Sequence, residues 1–492
     1  MNFTIKTIGC KVNTYESNRI KDELTKLGFN YIDVEDKSSY KDLDFYIVNT
    51  CSVTSIADKK SRQMLHLAKK YNPNVKVIAV GCLVDSLSVG TNHVGDDILS
   101  SHVGANHHVG DDILSSHVGA SIASPHLDGV DYLVSNKEKN KLSDLILSLA
   151  KEKNENCCGN AVGASPADSC TGELREPNRI RAFIKIQDGC NQYCTYCIIP
   201  YLRGNISSRS NDDIINEVKE KSKSGVKEIV LTGIHLSSFG LDRNNLQYEN
   251  DGAIEFARES LLEIMREVAE VDGIERIRLG SLEPRIIDDN FLISLVENSV
   301  VGAYTIHPHV GADIIRPHVG ASTASPLAKK FCANFCLSLQ SGCDKTLKRM
   351  NRHYTTKDFE TACNLIRKHL PNATITTDVI VGFPGETEED FIESLEFVKK
   401  MRFYNPNIFP YSRRKGTKAD LMDNQLTNQT KHDRVKIMLS ECDKITKEIE
   451  DEYNREDHEI LIEEVVVENG IKYGIGYTKE YIKKKIEIKN KI

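Results

Sequence analysis

Residues 182–197, AFIKIQDGCNQYCTYC, place an apolar strand directly ahead of three cysteines, Cys190, Cys194 and Cys197, on one short stretch. Thiolates spaced four and three residues apart on a single loop can wrap one face of a cuboidal iron–sulfur cluster, holding three irons and leaving the fourth without a protein ligand. Such an open iron can bind and reduce a small chelating molecule. Zinc is the competing metal, but a structural zinc site takes four ligands, and no fourth Cys or His lies nearby in sequence. Three cysteines that merely pack are the plainer alternative, and this spacing argues against it.

Outward from that stretch the pattern repeats. Apolar strands are predicted at 182–189, 228–234, 276–282, 333–340, 374–384 and 407–412, with helical patterns such as 211–225, 355–370 and 387–401 between them. Six βα units in series predict a barrel or partial barrel, whose active site lies at the carboxyl ends of the strands. Conspicuous residues fall at those ends: Thr232 and Gly233, then Ser281 and Glu283, then Gln340, then Val381 and Gly382, then Arg413 and Arg414. Glycine lets backbone approach a ligand closely, and Glu and Gln can bond hydroxyl or amino groups. Each alone reads equally as a turn or helix cap; their recurrence at successive strand ends favours a ligand site. His235 is the one histidine at a predicted strand end, and no Ser/His/Asp arrangement appears, which argues against hydrolytic chemistry.

The first 150 residues also alternate strand and helix, predicting an open parallel α/β sheet. Cys10, Cys51 and Cys82 each close an apolar strand: FTIKTIGC, DFYIVNTC and KVIAVGC. In an open parallel sheet the carboxyl ends of the strands face one crevice. Three cysteines far apart in sequence are therefore expected to meet in space. A buried Cys acting as a small hydrophobe is the alternative for each; three strand-terminal cysteines together favour a second, auxiliary iron–sulfur cluster.

The stretch Cys190-Asn-Gln-Tyr-Cys194-Thr-Tyr-Cys197 resembles the radical S-adenosylmethionine (SAM) superfamily, with Tyr196 in the aromatic slot of its motif. With GCKVNTYE (9–16), NTCSVTSIADKKSRQ (49–63), LTGIHLSSFG (231–240), SLQSGCDKTLKRMNRHYTT (338–356), TTDVIVGFPGETEEDF (376–391) and FPYSRRKGT (409–417), the chain resembles the methylthiotransferases, and within them most the threonylcarbamoyladenosine tRNA methylthiotransferases. The resemblance covers nearly all of the chain apart from its inserts. It implies two 4Fe-4S clusters, on Cys190, Cys194 and Cys197 and on Cys10, Cys51 and Cys82. It implies SAM as cosubstrate, with Tyr196 and the strand-end residues beside it, and replacement of the adenine C2 hydrogen by methylthio through a radical. Adenine C2–H offers no acidic proton, so acid–base groups would not help. The implied partners are a tRNA, an electron donor such as flavodoxin or ferredoxin, and a sulfur donor. The competing readings are a methylthiotransferase for isopentenyladenosine tRNA or a ribosomal protein, and an inactive iron–sulfur RNA-binding copy.

The domain plan expected from these readings is a cluster domain at 1–150, a linker at 151–177, the partial barrel at 178–428, a helical connector at 429–455 and a small β domain resembling TRAM at 456–492. A five-stranded TRAM barrel needs roughly 50 residues, whereas 37 follow Arg455, so a truncated barrel is expected. Lys483, Lys484 and Lys485, with Arg413 and Arg414, are the RNA-binding candidates; a solvated lysine-rich end is the plainer reading of the first three. Inserts interrupt the plan at about 87–127 and 299–327. VGDDILSSHVGA stands at 94–105 and again at 109–120, related pieces follow at 163–169 and 309–326, and nine of the 15 histidines lie in these inserts. A His-rich tract can bind metal, but one short element copied into several loops explains the content more simply. The net charge of −7 gives no global support for a nucleic-acid partner, which leaves local basic patches. No apolar run approaches the roughly 18 residues of a membrane span, and residues 1–10 read as a strand rather than a signal peptide. A cytoplasmic protein acting as a monomer is expected.

Overall fold

The computed structural model describes residues 1–34, 36–89, 121–122, 127, 129–157, 180–248, 251–296, 324–455 and 458–488. The duplicated insert at 94–120, the piece at 163–169 and most of 309–326 lie outside the described residues, as does much of the 151–177 linker. In chain order the first elements are β1 (Asn2–Thr7), α1 (Lys11–Lys26), β2 (Asn30–Tyr31), β3 (Phe45–Thr50), α2 (Ser55–Tyr71), β4 (Lys76–Gly81), α3 (Cys82–Val89), β5 (Ser121–Ile122), β6 (Tyr132–Val134) and α4 (Leu142–Cys157). There follow β7 (Arg181–Lys185), β8 (Gln187–Asp188), α5 (Ile199–Arg203), β9 (Ser207–Ser208), α6 (Asn211–Lys223), β10 (Glu228–Thr232), α7 (Asp251–Ala269), β11 (Arg276–Leu279), β12 (Ser281–Leu282), α8 (Asp289–Val296) and α9 (Pro326–Lys330). The last are β13 (Asn334–Gln340), α10 (Asp344–Arg349), α11 (Thr356–His369), β14 (Thr374–Val381), α12 (Glu388–Met401), β15 (Asn407–Pro410), α13 (Asn428–Tyr453), β16 (Leu461–Glu468), β17 (Ile471–Tyr477) and β18 (Lys483–Glu487).

Two compact units cut across the linear zones. One comprises 1–175, 188–205 and 412–425; the other comprises 176–187, 206–411 and 426–492. The first is a sheet in the order β2-β1-β3-β4-β6-β5, parallel throughout except for β5. Every residue of β3, FYIVNT, is buried, as a strand covered on both faces must be. The apolar residues of α1 and α4 pack with one face and those of α2 with the other. The chain leaves β1 toward β2, then returns to β3 and continues to β4, so the order reverses between β1 and β3. At such a switch point the loops at the carboxyl ends diverge and leave a crevice.

The second unit carries parallel pairings β7–β10–β11 and β12–β13–β14–β15. β11 and β12 are halves of one strand interrupted at Gly280, where a Cβ would stand 3.2 Å from Thr232 Oγ1. All six predicted strands are present, and one large apolar core lies between them and their helices. Helices α11 and α12 start on capping boxes, Thr355 with Asp358 and Thr387 with Asp390.

Among the described residues the carboxyl-terminal strands form an antiparallel sheet in the order β16-β17-β18. It is fixed to the amino ends of β7, β10 and β11. Arg276 donates to Tyr477 O at 2.6 Å, and Arg278 and Arg181 pair with the buried Glu228. Tyr477 and Tyr481 stack at 4.5 Å, with the Arg181 and Arg278 guanidiniums 4.9 and 4.3 Å from the Tyr481 ring. No described helix is long and apolar enough to cross a membrane.

Candidate functional site

The Cys190–Cys197 loop closes on itself through its flanking backbone. Cys190 N donates to Gly204 O at 3.1 Å and Cys197 N to Cys194 O at 2.9 Å. Gly189 has φ +69, and a Cβ there would lie 1.9 Å from Asn205 O, so no other residue fits. Within the loop Tyr193 takes φ 46, a left-handed conformation that costs a non-glycine residue energy and clusters at functional sites. Segment 412–425 clamps the loop from outside: Ala419 N donates to Thr195 O at 2.8 Å.

The other three cysteines stand where three strands of the same unit end. Cys10 is the N-cap residue of α1, Cys51 follows β3 directly and Cys82 opens α3. Cys10 and Cys51 flank the switch point. At Gly9, with φ +115, a Cβ would meet Cys51 Cβ at 2.8 Å and Sγ at 2.9 Å, so the backbone ahead of Cys10 touches the Cys51 side chain. Asn136 Nδ2 approaches Cys82 Sγ at 3.5 Å. Burial first, with the neighbouring Cys82 and Cys10 acting in the same direction, pushes the Cys51 thiol up to about 11. A bare thiol at this position stays protonated, and a metal centre binding it would displace that proton. Three thiols at strand ends, soft sulfur ligands, fit an iron–sulfur cluster better than a hard cation.

A buried ionic network lies among these elements. Arg203, its side chain 2% exposed, closes α5 just after the cysteine loop. It donates to Asp188 Oδ1 at 3.0 Å, Glu16 Oε1 at 3.0 Å and Asn13 Oδ1 at 2.8 Å. Glu16 occupies a position in the buried stripe Val12–Glu16–Ile20–Leu24 of α1. Its other oxygen accepts from Lys139, whose ammonium also donates to Asn49 Oδ1 at 3.2 Å. Burial pulls the Lys139 ammonium below its ordinary value against the pull of Glu16; burial likewise opposes the Arg203 charge, but Asp188 and Glu16 outweigh it. Sequence reasoning missed Arg203, Glu16, Asn13 and Lys139. The one available signal was a carboxylate on the apolar face of a helix.

The barrel residues expected to meet SAM are placed as follows. Thr232 ends β10 and is 3% exposed. A Cβ at Gly233 would stand 2.8 Å from Gln187 Oε1, the same oxygen that accepts from His235 N. Ser281 is exposed and lies 3.1 Å from Cys336 Sγ. Gln340 ends β13 with φ 69, and Gly382, just past Val381, has φ 73 with the Lys431 side chain packed against it. Tyr196 is half-buried in the cysteine loop. Glu283 is 3% exposed, and its oxygens accept from Tyr248 at 2.9 Å and Arg285 Nε at 2.7 Å. It orders those two side chains. His235 packs edge-on against Tyr248 at 5.0 Å, and burial, then the Arg352 and Arg285 charges, lower its pKa to about 3. It is neutral at physiological pH.

Of the RNA candidates, Arg414 is turned inward, donating to Ser52 Oγ at 2.6 Å beside Asp58, so it braces the loop after Cys51 instead of facing solvent. Arg413 is exposed and pairs with Asp420. On β18, Lys483 is exposed, Lys484 donates to Asn454, and Lys485 pairs with Glu468 at 2.5 Å.

The geometry agrees with what comparison of the chain with known proteins returns. A family model described as "Radical SAM superfamily" matches residues 184–239 and 247–398, and one described as "Uncharacterized protein family UPF0004" matches 2–95. The threonylcarbamoyladenosine tRNA methylthiotransferase MtaB of Bacillus subtilis is 31% identical, the match covering 97% of this chain and 88% of the relative. A tRNA-2-methylthio-N(6)-dimethylallyladenosine synthase of Clostridium tetani is also 31% identical, over 91% of this chain and 83% of the relative. Among solved structures, the radical SAM methyltransferase TsrM of Kitasatospora setae shares the fold with a TM-score of 0.50 at 13% identity, covering 85% of this chain and 76% of that one. The family models and these relatives define a radical SAM enzyme. The chain belongs to the tRNA methylthiotransferase family of that superfamily.

Proposed function

We propose that this transferase adds a methylthio group to C2 of N6-threonylcarbamoyladenosine beside the anticodon of tRNA. The observation that carries the proposal is the presence of two separate cysteine triads, one closed within a loop and one gathered from three strand ends, in a chain of this family. Cys190, Cys194 and Cys197 would hold the cluster that engages SAM, and Cys10, Cys51 and Cys82 the auxiliary one. When bound, these centres supply the electron that cleaves SAM to a 5′-deoxyadenosyl radical, and the sulfur that is transferred. The protein's own residues contribute placement. Gly233 and Gly382 let Gln187 and the Lys431 side chain pack tightly against the ends of β10 and β14. Glu283 and Tyr248 hold Arg285 and His235 in a fixed, water-poor arrangement. With a neutral His235 and Glu283 tied to Arg285, little there would protonate or deprotonate a substrate, which suits a C2–H that no base removes. Two SAM molecules are needed, one as the methyl donor to the sulfur and one to be cleaved. A flavodoxin or ferredoxin as reductant and a sulfur donor to replenish the sulfur complete the reaction.

The resemblance of residues 9–16 favours the threonylcarbamoyl target, while the Clostridium tetani relative keeps the dimethylallyl target in play. Mass spectrometry of tRNA nucleosides from a strain lacking the gene separates them. The methylthio form of threonylcarbamoyladenosine should vanish and methylthio-isopentenyladenosine should persist; the reverse pattern assigns the chain to the second target.

A further inference from the structure

We propose that Arg203 is the positioning residue that sets the spacing between the two cysteine triads. The inference rests on reading both triads as cluster ligands. The Cys190–Cys197 loop is closed by its own backbone, and Arg203, at its exit, ties it to the strand ends. A guanidinium offers five donors in a rigid planar fork, so partners on different elements are held at fixed angles as well as fixed distances. Here Nη1 holds Asp188, at the entry of the loop, and Glu16, on the first turns of α1. Nη2 holds Asn13, three residues past Cys10.

From those partners every cysteine of the other triad is reached through one or two side chains. Asn13 Nδ2 donates to Ile8 O at 2.7 Å and Thr50 O at 3.0 Å, the backbone leading to Cys10 and Cys51. Glu16 takes Lys139 from the 3₁₀ turn Asn136–Lys141, and Asn136 at the start of that turn reaches Cys82. Cys82 also packs with Ile198 and Leu202, which flank the loop's exit. A charge this buried, bonded on three sides, tolerates neither displacement nor the loss of one partner. If both triads must serve one substrate in turn, an error of about 1 Å in their separation would cost far more in coupling than in folding.

The test compares Arg203→Lys and Arg203→Met with the parent as anaerobically reconstituted holoproteins. Four quantities are read: iron per chain, amide hydrogen exchange of residues 188–205, spin–spin interaction between the reduced centres by EPR, and 5′-deoxyadenosine released per methylthio-nucleoside formed. Arg203→Met should keep about eight irons, while loop exchange and the deoxyadenosine-to-product ratio each rise roughly tenfold and the spin interaction weakens. Arg203→Lys, which keeps the charge and loses the fork, should fall between. Unchanged exchange, spin interaction and ratio in Arg203→Met would overturn the assignment. Loss of iron from both triads, equal in the two variants, would overturn it too, making Arg203 a folding residue only. A parent that methylthiolates no tRNA would defeat the proposed function instead, and exchange and spin interaction would still decide the role of Arg203.

Discussion

Cys190, Cys194 and Cys197 lie within eight consecutive residues whose shape is closed by Gly189 and Gly204, whereas Cys10, Cys51 and Cys82 arrive from three different strand ends. The first triad is local: it is safe from distant changes and vulnerable to any change inside its loop. The second inherits its geometry from the order and register of a whole sheet. It therefore tolerates long excursions between its members and fails when two strand ends are forced apart. One chain uses both plans because spacing alone can specify a loop, while only topology can specify a crevice.

The sharpest way to break the comparison is to delete the local triad. A Cys190→Ala/Cys194→Ala/Cys197→Ala variant should lose SAM cleavage by at least about 10⁴-fold and keep about four of about eight irons, read by deoxyadenosine release and iron analysis. Loss of all iron from a folded variant would show that the second triad does not stand alone. Gly9→Ala strikes the distributed plan. Its Cβ cannot coexist with Cys51 at 2.8 Å, and its φ of +115 disfavours any side chain. Iron should fall from about eight to about four, with SAM cleavage within about threefold of the parent.

The barrel supplies two comparisons that leave both triads intact. His235 has its pKa lowered by burial from 6.5 to about 3. Above pH 6.5 the group is neutral folded or unfolded and contributes nothing. As pH falls below 6.5 the unfolded chain takes up a proton that the native state refuses, so stability is lost down to about pH 3. Between pH 7 and pH 5 that loss is about 2 kcal/mol, and His235→Asn should remove it in paired urea titrations. Tyr481→Ala, which strips the stacked ring from Arg181 and Arg278, should cost about 1–2 kcal/mol with iron unchanged. The smallest effect is expected from replacing residues 91–120 by a short Gly/Ser linker, which spares α3 and β5. Activity and iron should match the parent within about twofold, under ~0.5 kcal/mol. A tenfold loss would mean that the insert serves the triad it follows.

Much of this was legible in the chain. The barrel strands declared themselves because apolar residues recur along them, β10 and β11 being buried throughout and β13 and β14 at roughly alternate residues, and the loop triad because its spacing is its geometry. The strand-end triad needed one further step, that carboxyl ends of parallel strands share a side. What escaped were partners. Glu283 stood as a SAM-binding candidate at a strand end, and nothing in its neighbourhood along the chain announces its partner Tyr248. Arg414 stood as an RNA-binding candidate, and its partner Ser52, far away in sequence, was not announced either. The Arg203 network escaped because its members meet only after the sheet order has been chosen.

The carboxyl-terminal sheet has a practical consequence. Its strands hang from the amino ends of β7, β10 and β11, and in doing so roof over the guanidiniums of Arg181, Arg276 and Arg278. A chain cut at the end of α13 would leave those cations facing solvent beside Glu228, with Arg276 deprived of the carbonyls it now holds. This segment cannot be treated as a detachable module to be trimmed away or exchanged; it is the underside of the barrel, and any shortening has to stop before the strands that cover those arginines.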